Sequence, residues 1–130
     1  MFDLTGISAD QEVFRAYAYE NHREPSGKPS YKLFLRRKPP KDERGLSVGP
    51  SPQAATQPLK FHYGCCRLVT AQVRTIEGLD VVPDSDTHGN ITGVPRRSED
   101  EQRALQIAGD LQRMADSTNY PPSPPAGQQH

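Results

Sequence analysis

The stretch SEDEQRALQIAGDLQRMA, residues 98–115, predicts an amphipathic helix near the carboxyl end of the chain. Ser98 and Glu101 have the spacing of a capping box, in which each side chain accepts a hydrogen bond from a free backbone N–H. Glu99 and Asp100 favour the same end because the helix dipole is positive there. Apolar residues then recur at helical spacing and form one face, which needs another element to cover it: Ala104, Leu105, Ile107, Ala108, Leu111, Met114 and Ala115.

Upstream of this helix, short apolar runs predict strands. Two runs alternate apolar and polar residues, at 30–38 and at 59–63. Thr70 can cap a short helix that Gly78 would end. Shorter candidate strands lie at 45–48, 66–69, 79–82 and 90–92.

The amino-terminal segment, residues 8–21, has two interpretations. Ser8 and Gln11 form a second capping-box pattern, and Val13, Phe14 and Tyr17 would share one helical face, which predicts a helix. The alternative is a strand formed by the alanines and aromatic residues between positions 14 and 18. The helix is the interpretation adopted.

These elements predict a small α+β domain. Its mixed or antiparallel sheet would have about four or five short strands, packed by the carboxy-terminal helix and accompanied by an amino-terminal helix. A single domain would span residues 1–118. Two Pro-rich segments are predicted to be flexible, a mobile loop at about 49–58 and a disordered tail at 119–130, because they lack the apolar side chains that offset ordering entropy.

Composition narrows the class of protein. Only 33% of the 130 residues are hydrophobic, 13 are proline, and the mean hydropathy is −0.80, which indicates a modest core. Lys and Arg together number 16, as do Asp and Glu, so the net charge gives no general attraction to nucleic acid or membranes. No apolar run approaches the roughly 18 residues of a membrane span, and no signal peptide is predicted. We therefore expect a cytoplasmic protein without a membrane partner.

The charges are nevertheless unevenly placed. Residues 23–44 hold eight basic and three acidic side chains. One interpretation is a solvated edge strand that Lys and Arg protect from aggregation. The other is a surface that contacts an acidic protein partner or, through the whole segment from Arg23, the phosphates of nucleic acid. The candidate binding residues are Arg36, Arg37, Lys38 and Arg44.

The polar run DSDTHG, residues 84–89, is the second candidate site. Asp84, Asp86 and Gly89 fit three positions of a calcium loop, but the position of the bidentate carboxylate is Pro95, which excludes that motif. A looser metal site would use Asp84, Asp86 and His88. No catalytic residue is predicted firmly by a motif, and the one candidate is His88, a side chain suited to general acid or base work. If their strands are neighbours, it would lie near Arg36, Arg37, His62 and Arg67 and form a phosphate-handling cluster.

The two cysteines are adjacent, Cys65 and Cys66, which fits neither a disulfide framework nor a spaced redox motif. Neighbours on a strand face opposite sides, so one thiol is expected in the core and the other in solvent. No phosphate loop, nucleophile elbow or paired zinc-binding histidines occur in the sequence. No cofactor is predicted.

Several runs together resemble short uncharacterised bacterial proteins over about residues 31–115. They are LRR at 35–37, GLSV at 45–48 and GLDVVPD at 78–84, followed by His88, Ile91, Pro95 and an Ala-rich helix. The resemblance implies no activity, cofactor or fold. We expect a small non-catalytic binding or accessory protein of a bacterial multi-protein system. The alternative is a small enzyme or nucleic-acid-processing factor that acts on phosphate groups through His88 and nearby arginines.

Overall fold

The computed structural model describes residues 1–126 and has the predicted α+β class. Its strands form two three-stranded antiparallel sheets instead of one. The helices are α1 (Pro52–Thr56), α2 (Thr70–Val73) and α3 (Glu101–Met114), and two 3₁₀ turns lie at Glu20–His22 and Tyr31–Phe34. The strands are β1 (Glu12–Ala16), β2 (Leu46–Val48), β3 (Cys65–Val69), β4 (Asp80–Ser85), β5 (His88–Thr92) and β6 (Asp116–Ser117).

The two sheets meet at one backbone bridge. The first has the order β1-β3-β6 and the second the order β2-β5-β4, in which β4 and β5 form a hairpin. Phe14 of β1 and Gly49, just after β2, exchange backbone N–H···O hydrogen bonds of 2.9 Å in both directions. The bridge brings the end of β1 beside β2, where a cavity opens.

The carboxy-terminal helix is confirmed, with two corrections. The N-cap is Asp100, whose Oδ1 accepts from the backbone N–H of Arg103 at 3.1 Å, so the predicted cap at Ser98 is wrong. Leu105 is 38% exposed, so the apolar face is narrower than predicted. The buried residues of α3 are Ala104, Ile107, Ala108 and Leu111.

A single hydrophobic cluster joins both sheets and α3. Its largest fully buried side chains include Leu33 and Phe34 of the second 3₁₀ turn, on which α3 packs. The prediction of a strand at 30–38 is wrong, because these two consecutive residues are both buried, and alternation would place them on opposite faces. Ser30 caps the turn by accepting from the N–H of Lys32 at 3.3 Å.

The prediction of an amino-terminal helix is also wrong. Residues 12–16 form β1, as in the alternative interpretation. Its buried face consists of Val13, Arg15 and, just beyond the strand, Tyr17. The charged residue in the middle conceals the period of two in the sequence.

The strand predicted at 59–63 is not formed. Of this run, only His62 makes a β-bridge, with Ser123, through backbone hydrogen bonds of 3.1 and 2.9 Å. Tyr120 stacks on the His62 ring at a centroid distance of 5.8 Å. Tyr120 and Ser123 of the predicted tail thus contact the rest of the chain, the disorder of the tail stays a prediction, and residues 127–130 lie outside the described residues.

The loop prediction for 49–58 is wrong at Pro52–Thr56, which form α1. Ser51 accepts from the N–H of Ala54 at 3.1 Å, and Pro52 occupies the first helical position, where its missing N–H costs nothing. Gly49 permits the close approach of α1, since a Cβ there would lie 2.8 Å from the backbone N of Ala55. The mobility of this segment stays a prediction. None of the helices within residues 1–126 has the length and apolar character required to cross a membrane.

Candidate functional site

A cavity of about 200 Å³ opens between the end of β1, β2 and α1. Its lining combines apolar residues with basic and imidazole side chains. The apolar residues are Ala16, Ala18, Val48, Ala54, Ala55, Pro58 and Leu59. The polar residues are Arg15, His22, Arg37, Ser47 and His88.

Arg15 lines this cavity and is only 5% exposed. Its Nε donates to the carbonyl of Leu33 and its Nη1 to the carbonyl of Ser47, both at 2.9 Å. Both acceptors are neutral, and Nη2 donates to no group among residues 1–126. Burial lowers the pKa of Arg15, yet an arginine stays protonated in proteins because its ordinary pKa is so high. The cavity therefore contains a buried cation with unused donors.

His22 lies beside Arg15 and is 7% exposed. Burial lowers its pKa to about 4, and the charges of Arg15 and Arg37 act in the same direction. The imidazole is therefore neutral at pH 7. Its Nδ1 is buried with no hydrogen-bond partner among residues 1–126, a condition that normally costs stability.

Arg37 is the second guanidinium of the cavity, and it is paired. Its Nε and Nη2 donate to the two carboxylate oxygens of Asp42 at 3.1 Å, and its backbone N–H donates to the same group at 2.8 Å. Burial opposes ionisation of Asp42, but the hydrogen bonds and charges of Arg37 and Arg15 outweigh it and lower the pKa of that carboxyl. Arg15 and Arg37 thus both interact with the one carboxylate of Asp42, which leaves an excess of one positive charge among these three residues.

His88 contributes to the wall of the same cavity from the start of β5. Its Nδ1 lies 2.9 Å from Oδ2 of Asp84. Asp84 also accepts from Arg44 at 2.8 Å and from the amide of Asn90 at 3.4 Å. Burial opposes ionisation of Asp84, but the bond with His88 and the charge of Arg44 lower its pKa overall.

The predicted metal site is only partly assembled. Asp84 and His88 meet, whereas Asp86 forms the hairpin turn with Thr87, and its backbone carbonyl accepts from the N–H of Phe2 at 2.8 Å. Within the described part of the chain, no group of three or more His, Cys, Asp or Glu side chains could hold a metal ion.

Of the four basic residues predicted to cluster with His88, only Arg37 lines the same cavity. Arg36 donates to the carbonyls of Asp42, Glu43 and Val94, at 2.7–3.0 Å. Arg67 lies on β3 and pairs with Glu12 and Asp116. His62 is occupied by its bridge to Ser123 and by the N–H of Gly64, which donates to its Nδ1 at 3.1 Å.

The sequence analysis missed Arg15 and His22. The signal for Arg15 was the alternation Val13, Arg15, Tyr17, in which a cation occupies a core position. No pattern in the sequence distinguishes His22 from a surface histidine.

Both cysteine side chains are buried, so the expectation of one solvent-facing thiol is wrong. Burial raises the pKa of Cys66 to about 12 and also raises that of Cys65, which bonds to Thr118. Neither thiol is activated for nucleophilic chemistry, since a reactive cysteine needs a lowered pKa.

A second, wider depression lies on the surface between residues 32–39 and the start of α3. We call it the basic groove. Six of its ten residues are cations and one is acidic: Lys32, Leu35, Arg36, Arg37, Lys38, Pro39, Arg96, Arg97, Ser98 and Glu101. Arg36 and Arg96 are engaged with backbone carbonyls, and Arg97 pairs with Glu101 at 2.6 Å. Lys32 and Lys38 are exposed at its edge.

Comparisons with known proteins give no relative. No protein-family model matches this chain, and no curated protein or solved structure matches it either. Inference about function therefore rests on the cavity and on the basic groove.

Proposed function

We propose that the protein binds a small phosphate-bearing molecule in the cavity that contains Arg15, His22 and Arg37. The observation that carries this proposal is the guanidinium of Arg15, which is buried without a hydrogen-bonded carboxylate and keeps Nη2 unused. Among the described residues, the only carboxylate that acts on this buried charge is that of Asp42, which Arg37 already binds, so a bound anion would lower the cost of burying the charge. Arginine also suits phosphate because its planar fork of donors matches two phosphate oxygens.

Charge and size narrow the class of ligand. The single excess positive charge favours a monoanion, such as a phosphodiester, over a dianion. A cavity of about 200 Å³ is smaller than the roughly 300–1,000 Å³ typical of drug-sized ligands, so it would enclose one end of a larger molecule. The wall that includes Ala54, Ala55 and Leu59 would receive an apolar or aromatic substituent next to the phosphate.

The test is thermal unfolding with dimethyl phosphate, the simplest phosphodiester, at constant ionic strength. A ligand that binds only the folded state stabilises it, by about 2.7 kcal/mol at a hundred times Kd. We expect a saturable rise in Tm for the natural chain and for R67M, a matched control on half-buried Arg67 of β3. The rise should be absent in R15M. No rise in the natural chain, or an equal rise in R15M, would contradict the proposal, and a rise with acetate alone would reassign the ligand to carboxylates.

A second candidate function is that of an accessory protein whose basic groove binds an acidic segment of a protein partner in a bacterial multi-protein system. The favouring observation is the excess of cations around the apolar Leu35 and Pro39, with Lys32 and Lys38 exposed. Such rim charges mainly steer association and make it dependent on salt.

The groove is tested with a labelled peptide of alternating Glu and Leu and with an RNA oligonucleotide of equal length. We expect the peptide to bind, and the charge reversals K32E and K38E together to abolish binding, while K60E leaves it intact. Preference for the oligonucleotide would favour nucleic-acid binding through residues 23–44 instead. Peptide binding that is unchanged by both charge reversals would contradict a role for the basic groove.

A further inference from the structure

We propose that the Asp84–His88 pair makes the cavity catalytic, with His88 as the general base that activates water against a bound phosphodiester. This inference rests on the proposed function, because it needs the phosphate held by Arg15 and Arg37. It goes further by assigning a reaction and the substrate class to the same site.

The geometry orients the imidazole. His88 Nδ1 lies 2.9 Å from Asp84 Oδ2, so Nδ1–H donates to that oxygen and Nε2 carries the lone pair. Asp84 is itself fixed from two further sides, by Arg44 on Oδ1 at 2.8 Å and by Asn90 on Oδ2 at 3.4 Å. A base held by a fixed carboxylate is the arrangement that positions histidine in many hydrolytic sites.

His88 is accessible both to solvent and to the cavity. The His88 side chain is 36% exposed, which gives it access to solvent, and it shares the cavity wall with Arg15 and Arg37. The hairpin of β4 and β5 fixes this position, since Ser85 pairs with His88 beside the two-residue turn. His88 therefore begins β5, and Asp84 lies in β4 at the bulge between Pro83 and Ser85.

The reaction is a hydrolysis that balances without a cofactor. Water loses a proton to Nε2 of His88 as its oxygen forms a bond to phosphorus. The bond between phosphorus and the leaving oxygen breaks, and that oxygen takes the electron pair and then a proton, from solvent or from the His88 imidazolium. The guanidinium of Arg15 stabilises charge on the non-bridging oxygens in the transition state. The products are a phosphate monoester and an alcohol.

The catalytic residue in this account is His88, and Asp84 is a positioning residue. General-base catalysis typically contributes about 10²–10⁴-fold to the rate. We expect H88N and H88Q to lower kcat at least about 100-fold with KM unchanged. D84N should lower kcat by about tenfold or more, also at constant KM, because it releases the ring from its orientation. D86N is the matched control, the same change of charge two residues away in the hairpin turn, and should keep full activity.

The experiment follows release of para-nitrophenolate from bis(para-nitrophenyl) phosphate and, in parallel, the Tm shift with dimethyl phosphate. Turnover by the natural chain, lost in H88N while the Tm shift persists, supports the inference. A Tm shift without turnover, or turnover that H88N and H88Q retain, overturns catalysis and leaves the binding proposal standing. Neither a Tm shift nor turnover in the natural chain overturns both.

Discussion

Arg15 is buried and Arg36 is half-buried, and both donate to backbone carbonyls. The two residues differ in how many of their guanidinium nitrogens donate to the protein. Arg36 uses all three guanidinium nitrogens, on the carbonyls of Asp42, Glu43 and Val94. Arg15 uses two, on Leu33 and Ser47, and its third nitrogen belongs to a residue that lines a cavity. The first guanidinium holds segments of chain together, whereas the second retains donors for a ligand.

A role in ligand binding is better assigned to a basic residue from the donors that the protein leaves unused than from its position in a basic cluster. The sequence analysis placed the binding surface at Arg36, Arg37, Lys38 and Arg44 because these residues cluster. In the structure, Arg36 and Arg44 have their own protein partners, and Arg37 is paired with Asp42. Arg15, which is buried and does not use Nη2, stands apart from this cluster in the sequence, within β1.

The largest effect on stability should follow removal of the Arg36 guanidinium, because all three of its nitrogens donate to backbone carbonyls. R36M would leave the carbonyls of Asp42, Glu43 and Val94 without their charged donor, and hydrogen bonds to charged groups contribute about 1.5–3 kcal/mol each. We expect the free energy of unfolding to fall by about 3 kcal/mol, measured by urea denaturation. A loss under about 1 kcal/mol would show that Arg36 is not a structural clamp.

The next effect is a pH dependence from His22. Its folded-state pKa of about 4 lies below the value of roughly 6.5 in the unfolded chain, so between these values the unfolded state binds more protons. Stability should therefore fall as pH decreases from 6.5 to 4, by about 2 kcal/mol after allowance for solvent screening. Denaturation at several pH values should show this fall in the natural chain and a flatter profile in H22Q. Equal slopes for the two proteins would contradict the burial of a neutral imidazole.

R15M is expected to have a smaller effect on stability, although it should abolish ligand binding. The variant loses hydrogen bonds to Leu33 and Ser47 but also removes a buried charge that lacks a hydrogen-bonded carboxylate, and these two changes oppose each other. We expect a net loss of about 1 kcal/mol in urea denaturation. A loss as large as that of R36M would mean that Arg15 is mainly structural.

The smallest effect should come from the exposed lysines of the groove. K32A and K38A remove side chains with solvated charges, and surface substitutions of this kind usually change stability by less than about 0.5 kcal/mol. The same urea measurement checks this expectation. A clear gain in stability would indicate repulsion among the groove cations.

The sequence predicted the fold class and several elements, because their patterns depend on local apolar spacing. The strands around Val48, Leu68, Val81 and Ile91 and the helix that ends near Met114 carry such patterns. The errors lie where tertiary contacts decide the outcome. Leu33 and Phe34 alternate like a strand with their neighbours but are drawn together into the core by α3.

Only part of the candidate site was predicted from the sequence. Asp84 and His88 were identified because a polar run after an apolar strand is visible in a sequence, and Arg37 was identified because it belongs to a cluster of basic residues. Arg15 was not, because an isolated arginine between Phe14 and Ala16 has no partner nearby in the chain, and its neighbours Leu33 and Ser47 are brought to it by the fold.

The most direct test is a crystal structure of the protein grown with dimethyl phosphate. The account predicts a phosphate group in the cavity with an oxygen within hydrogen-bonding distance of Nη2 of Arg15. It would be contradicted by a structure in which Nη2 donates to a protein carboxylate and the phosphate is absent or lies only on exposed Lys32 or Lys38.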